Sequence, residues 1–282
     1  MIRSVRETVS KEPWRVLIIS AMARTADTTR FVAYNILEGG MGRLDPIYET
    51  LAYLRGDIVG LCEANDVDAV GYLAAKLDCD HVVAESPSGQ YHVALLCSGP
   101  IEQMVNLGVA VPSLDRAAME AIVQVNGTSW RVVVVHLFPG TQPEDEARRL
   151  HEMEQILGNL GTETLPTVLL GDFNAGAPYH PLDPSNLAPH RRERLEARGG
   201  AIDHDLVRSL NEGGWVDAYH RCHAENPAHT FTTGFPAQRV DYIFLSPDLA
   251  PRLVDADVEQ GGSAPYCSDH FPLWAAIGPQ AA

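Results

Sequence analysis

The stretch LLGDFN, Leu169–Asn174, decides how the chain is interpreted. The apolar run that leads into it predicts a buried strand, and Gly171 permits an unusual backbone angle or a close approach. Asp172 and Asn174 are two positions apart, so on an extended chain their side chains point the same way. A carboxylate beside a carboxamide can hold a water and a phosphoryl oxygen together. The alternative is an Asx turn that caps the strand.

Polar residues also end the other predicted strands. The strand Arg30–Ile36 carries Asn35, the apolar run before Cys62 ends in Glu63, and a third strand delivers His136. A single carboxylate at a strand end is a common way to present a ligand to a hard cation, and a helix-capping acid is the alternative for Glu63. Functional groups of α/β proteins gather at such strand ends.

Two segments near the end of the chain complete this pattern. Asp241 lies in an otherwise apolar strand, and a buried charge needs a partner. His270 would satisfy Asp241 and be oriented by it, whereas a salt bridge with Arg239 is the alternative. Asp269 and His270 are neighbours on a predicted loop, where such a pair can bind a metal and move a proton. A plain surface turn is the alternative there.

The remaining secondary structure alternates between helices and strands. Asn126-Gly127 predicts a tight hairpin turn between two apolar strands. Residues 175–190 are rich in Pro, Ala and His and predict a long surface loop. One predicted helix begins at about Asp45, and three more span Val67–Leu77, Pro143–Leu160 and Asp203–Asn211. The further predicted strands are Asp57–Leu61, Val93–Cys97, Met119–Val125, Trp130–Leu137, Thr167–Leu170, Arg239–Leu245 and Phe271–Ile277.

The charge of the chain argues against tight binding of nucleic acid. With 37 acidic and 21 basic residues among 282, the net charge is −16, so the overall field repels polyanions. No basic stripe of the kind typical of non-specific nucleic-acid binders is present. Cleavage of DNA or RNA stays open, because bound metal ions change the local sign of an acidic site.

Cysteine usage and the N-terminus bear on the compartment. The five cysteines are widely spaced and include no CxxC pair, which argues against a zinc ribbon and favours a reducing, cytoplasmic compartment. The short apolar run Val16–Ala23 follows four basic residues, so a secreted protein with a signal peptide is the less favoured alternative to a first strand or an extension. No apolar run approaches the ~20 residues of a membrane span.

Weaker candidates lie on and after the 175–190 loop. Arg191 and Arg192 belong to a basic cluster, with Arg194 and Arg198, that either reaches a substrate phosphate or forms the solvated face of a short helix. His180 is a candidate substrate contact. A polar loop is favoured over a transition-metal site for His220, Cys222 and His223, because no second ligand pair accompanies them.

In this order, the strand-end segments resemble the endonuclease/exonuclease/phosphatase superfamily, the fold of pancreatic deoxyribonuclease. The resemblance runs from about residue 30 to residue 277. It implies an α/β (α+β) fold, a four-layer sandwich of two packed mixed β-sheets flanked by helices. Residues 1–29 would be an N-terminal extension and residues 30–282 the catalytic domain. The matching segments are Tyr34-Asn35, Cys62-Glu63, His136, Gly171–Asn174, Val240-Asp241-Tyr242 and Ser268-Asp269-His270.

The resemblance also implies roles for these residues. Glu63 would be the principal ligand of Mg²⁺, for which Mn²⁺ is an expected substitute, with Asp269 and Asn35 near the metal or its waters. Asp172 would orient or deprotonate the attacking water, and Asn174 would hold that water or a phosphate oxygen. His270, oriented by Asp241, and His136 would contact the phosphate from two sides. The family often pairs the His136 position with a carboxylate, and no obvious acid lies near Tyr91 to do so.

The expected activity is metal-dependent hydrolysis of a phosphoester by in-line attack of water. The substrate is either nucleic acid or a small phosphorylated molecule, and the acidity of the chain slightly favours the small molecule. A non-catalytic binding module on the same fold is the alternative, since a fold does not fix a function. No protein partner is evident in the sequence.

Overall fold

The computed structural model describes residues 28–280, and these residues form two six-stranded sheets. The strands are β1 Thr29–Asn35, β2 Ile58–Cys62, β3 Asp80–Ala84, β4 Val93–Cys97, β5 Ile101–Asn106, β6 Ala118–Val125, β7 Thr128–His136, β8 Thr167–Asp172, β9 Val216–Asp217, β10 Asp241–Leu245, β11 Leu253–Val258 and β12 Leu273–Ile277. The α-helices are α1 Leu44–Leu54, α2 Val67–Leu77, α3 Leu107–Ala110, α4 Pro143–Gly158, α5 Pro189–Ala197, α6 Asp205–Glu212, α7 Ala218–Cys222 and α8 Ala264–Cys267.

Both sheets are mixed, as expected. The first has the strand order β11-β12-β1-β2-β4-β3, and the second has the order β5-β6-β7-β8-β10-β9. Each sheet contains one parallel pair at its centre, β1 with β2 and β7 with β8. Because parallel strands end at the same edge, each pair delivers two C-terminal ends to one edge of its sheet.

Alternating side chains hold the two sheets together and attach the helices. In β1, Phe31 points into the core between the sheets while Val32 packs toward α1 and α2. In β7, Val132 enters the same inter-sheet core and Val133 packs toward α4 and α6. Because successive side chains of a strand point to opposite faces, each sheet packs against the other sheet on one face and against helices on the other. The result is the expected sandwich of helix, sheet, sheet and helix layers.

The sheets approach closely at Gly60 of β2. A Cβ at Gly60 would lie 2.0 Å from Cδ1 of Leu170 in the other sheet. Gly171, the next residue of β8, has a φ of +133°, and a Cβ there would lie 2.1 Å from the Val135 carbonyl oxygen. Glycine at these two positions lets the ends of β2, β7 and β8 converge.

The interior strands match the predictions, and the strands that the sequence did not reveal are the four edge strands, β3, β5, β9 and β11. Edge strands expose their side chains and carry polar residues, such as Asp255 and Asp257 in β11, so they lack the apolar pattern of a buried strand. The predicted surface loop at 175–190 is also partly wrong, because His180 and Leu187 are buried and α5 begins at Pro189.

The candidate strand or signal peptide at 14–23 lies outside the described residues. In the described part of the chain, the five cysteines are free, and no helix is long and apolar enough to cross a bilayer.

Candidate functional site

The predicted site residues meet where the central strands of both sheets end. Asn35 ends β1 beside Cys62 of β2, and Glu63 follows directly. In the second sheet His136, at the end of β7, is paired in register with Asp172 of β8. Asp172 in turn pairs with Asp241, the first residue of the antiparallel β10. The packing of the two sheets brings these ends together at one edge.

Asp172 lies at the centre of this cluster. Its Oδ2 accepts a hydrogen bond from Asn35 Nδ2 at 3.0 Å, and its Oδ1 accepts one from the Asn174 backbone N–H at 2.9 Å. Nε2 of His136 lies 3.5 Å from Oδ2, and Nε2 of His270 lies 3.8 Å from it. Burial raises the pKa of Asp172 to about 6, although the charge of His270 opposes the increase. The carboxylate is therefore a stronger base than an exposed aspartate.

The backbone turns sharply after Asp172. The strand ends at Asp172, and Asn174 has a φ of +50°, so the prediction of an extended chain through Asn174 is wrong. The hydrogen bond from the Asn174 N–H to Asp172 Oδ1 forms the Asx turn given as the alternative. The Asn174 side chain donates to the Leu137 carbonyl at 3.0 Å, which leaves its Oδ1 without a partner among the described residues.

Asp241 contacts His270 and does not contact Arg239. Oδ2 of Asp241 lies 2.8 Å from Nδ1 of His270. Burial lowers the pKa of His270, but Asp241 and Asp172 more than offset this and raise the pKa to about 10, so the imidazole is protonated. Arg239 instead forms a buried ion pair with Asp217 at 2.5 Å.

Glu63 and Asn35 form the more open side of the cluster. Asn35 Nδ2 lies 3.3 Å from Glu63 Oε1 as well as 3.0 Å from Asp172, so one amide bridges two carboxylates. Glu63 Oε2 accepts the Glu38 backbone N–H at 2.9 Å, while the Glu38 side chain is exposed to solvent. Glu63 itself is half-buried. Asp269 is also half-buried, and its Oδ1 lies 4.0 Å from Nε2 of His270.

The donor groups fit a hard divalent cation. Burial raises the pKa of the Cys62 thiol well above its usual range, so no thiolate is present. Asp172, Asp241 and His270 lie close enough together to hold an ion, but the protonated His270 is already paired with Asp241. The oxygens of Glu63, which has spare lone pairs and access to water, are the better candidates, and Mg²⁺ or Mn²⁺ suits such ligands.

Arg116 is a site residue that the sequence analysis missed. Its guanidinium lies over the Tyr91 ring at 4.1 Å and contacts Nε2 of His136. Among the described residues it forms no ion pair with a carboxylate. Burial and the charge of Arg116 lower the pKa of His136 well below its usual range, so His136 is neutral. The predicted hairpin contains a signal for this contact, because a two-residue turn at Asn126-Gly127 sets a register in which Ala117 faces His136, so Arg116 lies one residue away.

The weaker candidates separate into two groups. Arg191 lies over the Phe231 ring at 4.5 Å, and this ring lies 4.6 Å from the His270 ring, so Arg191 adjoins the cluster. Arg192 donates to carbonyl oxygens of residues 184, 185 and 187 and supports its own loop. His180 is buried behind the cluster, with Nδ1 3.3 Å from the Arg239 guanidinium.

The segment His220–His223 contributes no metal site among the described residues. His220 stacks on Tyr179 with ring centroids 3.7 Å apart, and Nε2 of His223 lies 2.8 Å from the Ala256 carbonyl oxygen. Ala218–Cys222 is a short helix rather than the expected polar loop. The Tyr179 hydroxyl and the His220 backbone N–H both donate to Asp217, so this segment supports the Asp217–Arg239 ion pair.

Comparison with known proteins agrees with this fold. A sequence model of the Endonuclease/Exonuclease/phosphatase family matches residues 32–270. No curated protein gives a significant match. The 3′ phosphatase NExo from Neisseria, solved with a product DNA hairpin, is 21% identical with a TM-score of 0.66, over 88% of this chain and 99% of its own. An AP endonuclease from Archaeoglobus fulgidus is 19% identical with a TM-score of 0.65, over 88% and 99%. The APE2 catalytic domain from Xenopus laevis is 18% identical with a TM-score of 0.60, over 90% and 94%.

Proposed function

This chain belongs to the endonuclease/exonuclease/phosphatase family, and we propose that it is a Mg²⁺-dependent hydrolase of phosphoester bonds. The observation that carries the proposal is the surroundings of Asp172. A buried carboxylate with a raised pKa lies between a protonated histidine and an amide, at a converging edge of strand ends. Neighbouring titratable groups whose pKa values are shifted away from their ordinary values, as those of Asp172 and His270 are, are typical of acid–base sites.

Asp172 acts on the attacking water. Its ionised carboxylate accepts a proton or a hydrogen bond from that water, which turns a water lone pair toward phosphorus. Asn35 and the Asn174 N–H fix the carboxylate at 3.0 and 2.9 Å, so its orientation is set before substrate binds. Oδ1 of Asn174, which has no partner among the described residues, can accept a hydrogen bond from that water.

His270 is the proposed positively charged group that faces the phosphate. As an imidazolium held by Asp241 at 2.8 Å, it directs Nε2 toward the same space as Asp172. There it stabilises negative charge on the phosphate oxygens or donates a proton to the leaving oxygen. Asp241 is a positioning residue, because it acts through His270.

Glu63 is the proposed principal metal ligand, with Asn35 and Asp269 beside the bound ion or its waters. A divalent cation supplies Lewis-acid polarisation of the phosphate when it is bound. Nδ2 of Asn35 donates to both carboxylates, at 3.3 Å to Glu63 and at 3.0 Å to Asp172, and so helps to fix the orientation of each.

Arg116 is the proposed phosphate contact on the side opposite His270. The expectation gave this role to His136, but the His136 side chain is completely buried while Arg116 is half-exposed. A guanidinium without a carboxylate partner suits a phosphate oxygen. Arg116→Gln should lower kcat/KM by about tenfold or more, and Arg116→Lys should restore part of it. Equal kcat/KM in wild type and Arg116→Gln would contradict the role.

Two substrate classes have support. The solved neighbours include a 3′ phosphatase bound to a DNA hairpin and an AP endonuclease, which favours nucleic acid. The net charge of −16 favours a small phosphorylated molecule. A non-catalytic binding module is less favoured, because the paired Asp241–His270 and the buried Asp172 form a complete acid–base arrangement.

The test is hydrolysis of bis-p-nitrophenyl phosphate, p-nitrophenyl phosphate and plasmid DNA with Mg²⁺, Mn²⁺ or EDTA. We expect hydrolysis of at least one substrate with either metal and none in EDTA. The preferred substrate distinguishes phosphodiesterase, phosphatase and nuclease. Calorimetric Mg²⁺ binding without hydrolysis of any phosphoester in this panel would favour the binding module.

A further inference from the structure

A small cleft of about 50 Å³ opens beside Asn174, at the edge of the strand-end cluster. Its walls are the loop after β7, the start of α5 and the segment around Phe231. A space of this size takes one small chemical group. We call it the Arg191 cleft, and its lining includes Arg149, Asn174, Arg191, Arg198, Phe231 and Gln238.

Three arginines line the cleft, and two of them are already neutralised. Arg149 donates to Glu146 at 2.7 Å and to two carbonyl oxygens, and Arg198 pairs with Asp203 at 3.2 Å. The side chain of Arg191 forms neither an ion pair nor a hydrogen bond with any residue in the range 28–280. The half-buried guanidinium of Arg191 is attracted over a longer range by Asp269 and packs on the Phe231 ring. The cleft therefore holds one uncompensated cation.

The amide of Gln238 adds hydrogen-bonding capacity around Arg191. The side chain of Gln238 makes no hydrogen bond within the described chain, although the residue is only 8% exposed. Nε2 of Gln238 is therefore free to donate to a bound anion. A bound group that accepts hydrogen bonds from Arg191 and Gln238 would satisfy both.

The cleft lies within reach of the proposed reaction centre. The Phe231 ring contacts both Arg191 and His270, with 4.5 Å from its centroid to the guanidinium and 4.6 Å to the imidazole centroid. The guanidinium and the imidazole are thus no further apart than these two distances together. An anion on Arg191 would lie a few covalent bonds from a phosphate held by His270.

We propose that the Arg191 cleft binds a second phosphate group of the substrate, which selects bisphosphorylated over monophosphorylated molecules. The proposal rests on the proposed function, since His270 is taken to hold the scissile phosphate. A guanidinium pairs with phosphate through two parallel hydrogen bonds. Because the net negative charge of the chain repels anions, selectivity for the second phosphate would come from its direct contact with Arg191 and not from the electrostatic field of the whole protein.

The test is calorimetric binding in the presence of Ca²⁺, which does not depend on turnover. The ligands are thymidine 3′,5′-bisphosphate and thymidine 5′-phosphate, with fructose 1,6-bisphosphate and fructose 6-phosphate as a second pair of different spacing. We expect the wild type to bind at least one bisphosphate about tenfold or more tightly than its monophosphate, the scale of a charged hydrogen bond. In Arg191→Gln this ratio should fall to about twofold or less, with partial recovery in Arg191→Lys.

The matched control is Arg194→Gln, an exposed arginine on the same helix, which should keep the wild-type ratio. Ratios near one for both pairs in the wild type, or an unchanged ratio in Arg191→Gln, would overturn the proposal. The dinucleotide pTpT identifies the source of the second phosphate: binding tighter than the bisphosphate points to the end of a nucleic-acid strand, and weaker binding to a free small molecule. Hydrolysis without a bisphosphate preference would leave the proposed function standing and this inference refuted.

Discussion

Nδ1 of His270 lies 2.8 Å from Oδ2 of Asp241, and both side chains are buried. The other oxygen of Asp241 has no hydrogen-bond partner among the described residues. The only side-chain partner of this carboxylate among the described residues is therefore His270, and this contact, together with the charge of Asp172, keeps the buried imidazole protonated.

Asp241→Asn should remove most of the activity. The amide has the same shape but cannot stabilise the imidazolium, so the pKa of His270 falls and the cation next to Asp172 is lost. We expect kcat to fall roughly 10²-fold or more, the scale of acid–base catalysis. NMR titration of His270 gives an independent readout. Asp248→Asn, at an exposed position, is the control, and a kcat within threefold of wild type for Asp241→Asn would refute the role.

Glu63→Gln should weaken metal binding more than folding. The amide oxygen still accepts the Glu38 N–H, but the negative charge that favours a hard cation is gone. We expect the Mg²⁺ concentration at half-maximal activity, and the calorimetric Kd for Mg²⁺, to rise about tenfold or more. Glu38→Gln is the control, since its side chain is exposed. Unchanged Mg²⁺ affinity in Glu63→Gln would show that the ion binds elsewhere.

Arg239→Met should destabilise the fold. It leaves Asp217 buried without its cation, although Tyr179 and the His220 N–H still donate to the carboxylate. Breaking a buried pair by removing one partner costs about 3–5 kcal/mol in free energy of unfolding. Arg208→Met breaks an exposed pair with Asp205 and should cost less than about 1 kcal/mol. Urea unfolding compares the two, and equal losses would show that Asp217 is not effectively buried.

Acid should destabilise the protein through His180. Burial and the neighbouring Arg239 lower the pKa of His180 to about 4, while histidine in an unfolded chain titrates near about 6.5. Below that pH the unfolded chain gains a proton that the folded protein does not, so stability is fully present above about pH 6.5 and falls toward pH 4.

His180→Gln should reduce this pH dependence. Between pH 7.5 and pH 5 the variant should lose about 2 kcal/mol less free energy of unfolding than the wild type, from about 1.4 kcal/mol per pH unit. Other titrating groups cancel in the comparison, which uses urea unfolding at both pH values. The same loss in both proteins would mean that His180 is protonated in the fold.

The interior of the fold was predictable because buried strands carry their own signal. The apolar runs of β1, β7 and β8 and the Asn126-Gly127 turn predict the centre of each sheet. The edge strands were not predictable, since their exposed faces accept polar side chains. The helix α5 was considered only as an alternative, because its nine residues have little apolar character.

Part of the site followed from the sequence and part required the folded chain. Asp241 and His270 were expected to meet, and they do. Arg116 has no motif, and its contact with His136 comes from hairpin register and the distant Tyr91. The unpaired state of Arg191 depends on which neighbouring arginines already have carboxylate partners, which sequence spacing does not specify.

The most direct test of the central claim compares wild type with Asp172→Asn on bis-p-nitrophenyl phosphate in Mg²⁺, with circular dichroism and urea unfolding as checks on folding. Asparagine keeps the size of the side chain and removes its ability to take a proton. We predict a kcat lower by roughly 10²–10⁴-fold in a folded protein that still binds Mg²⁺. Near wild-type turnover in the folded variant would contradict the assignment of Asp172 as the residue that activates water.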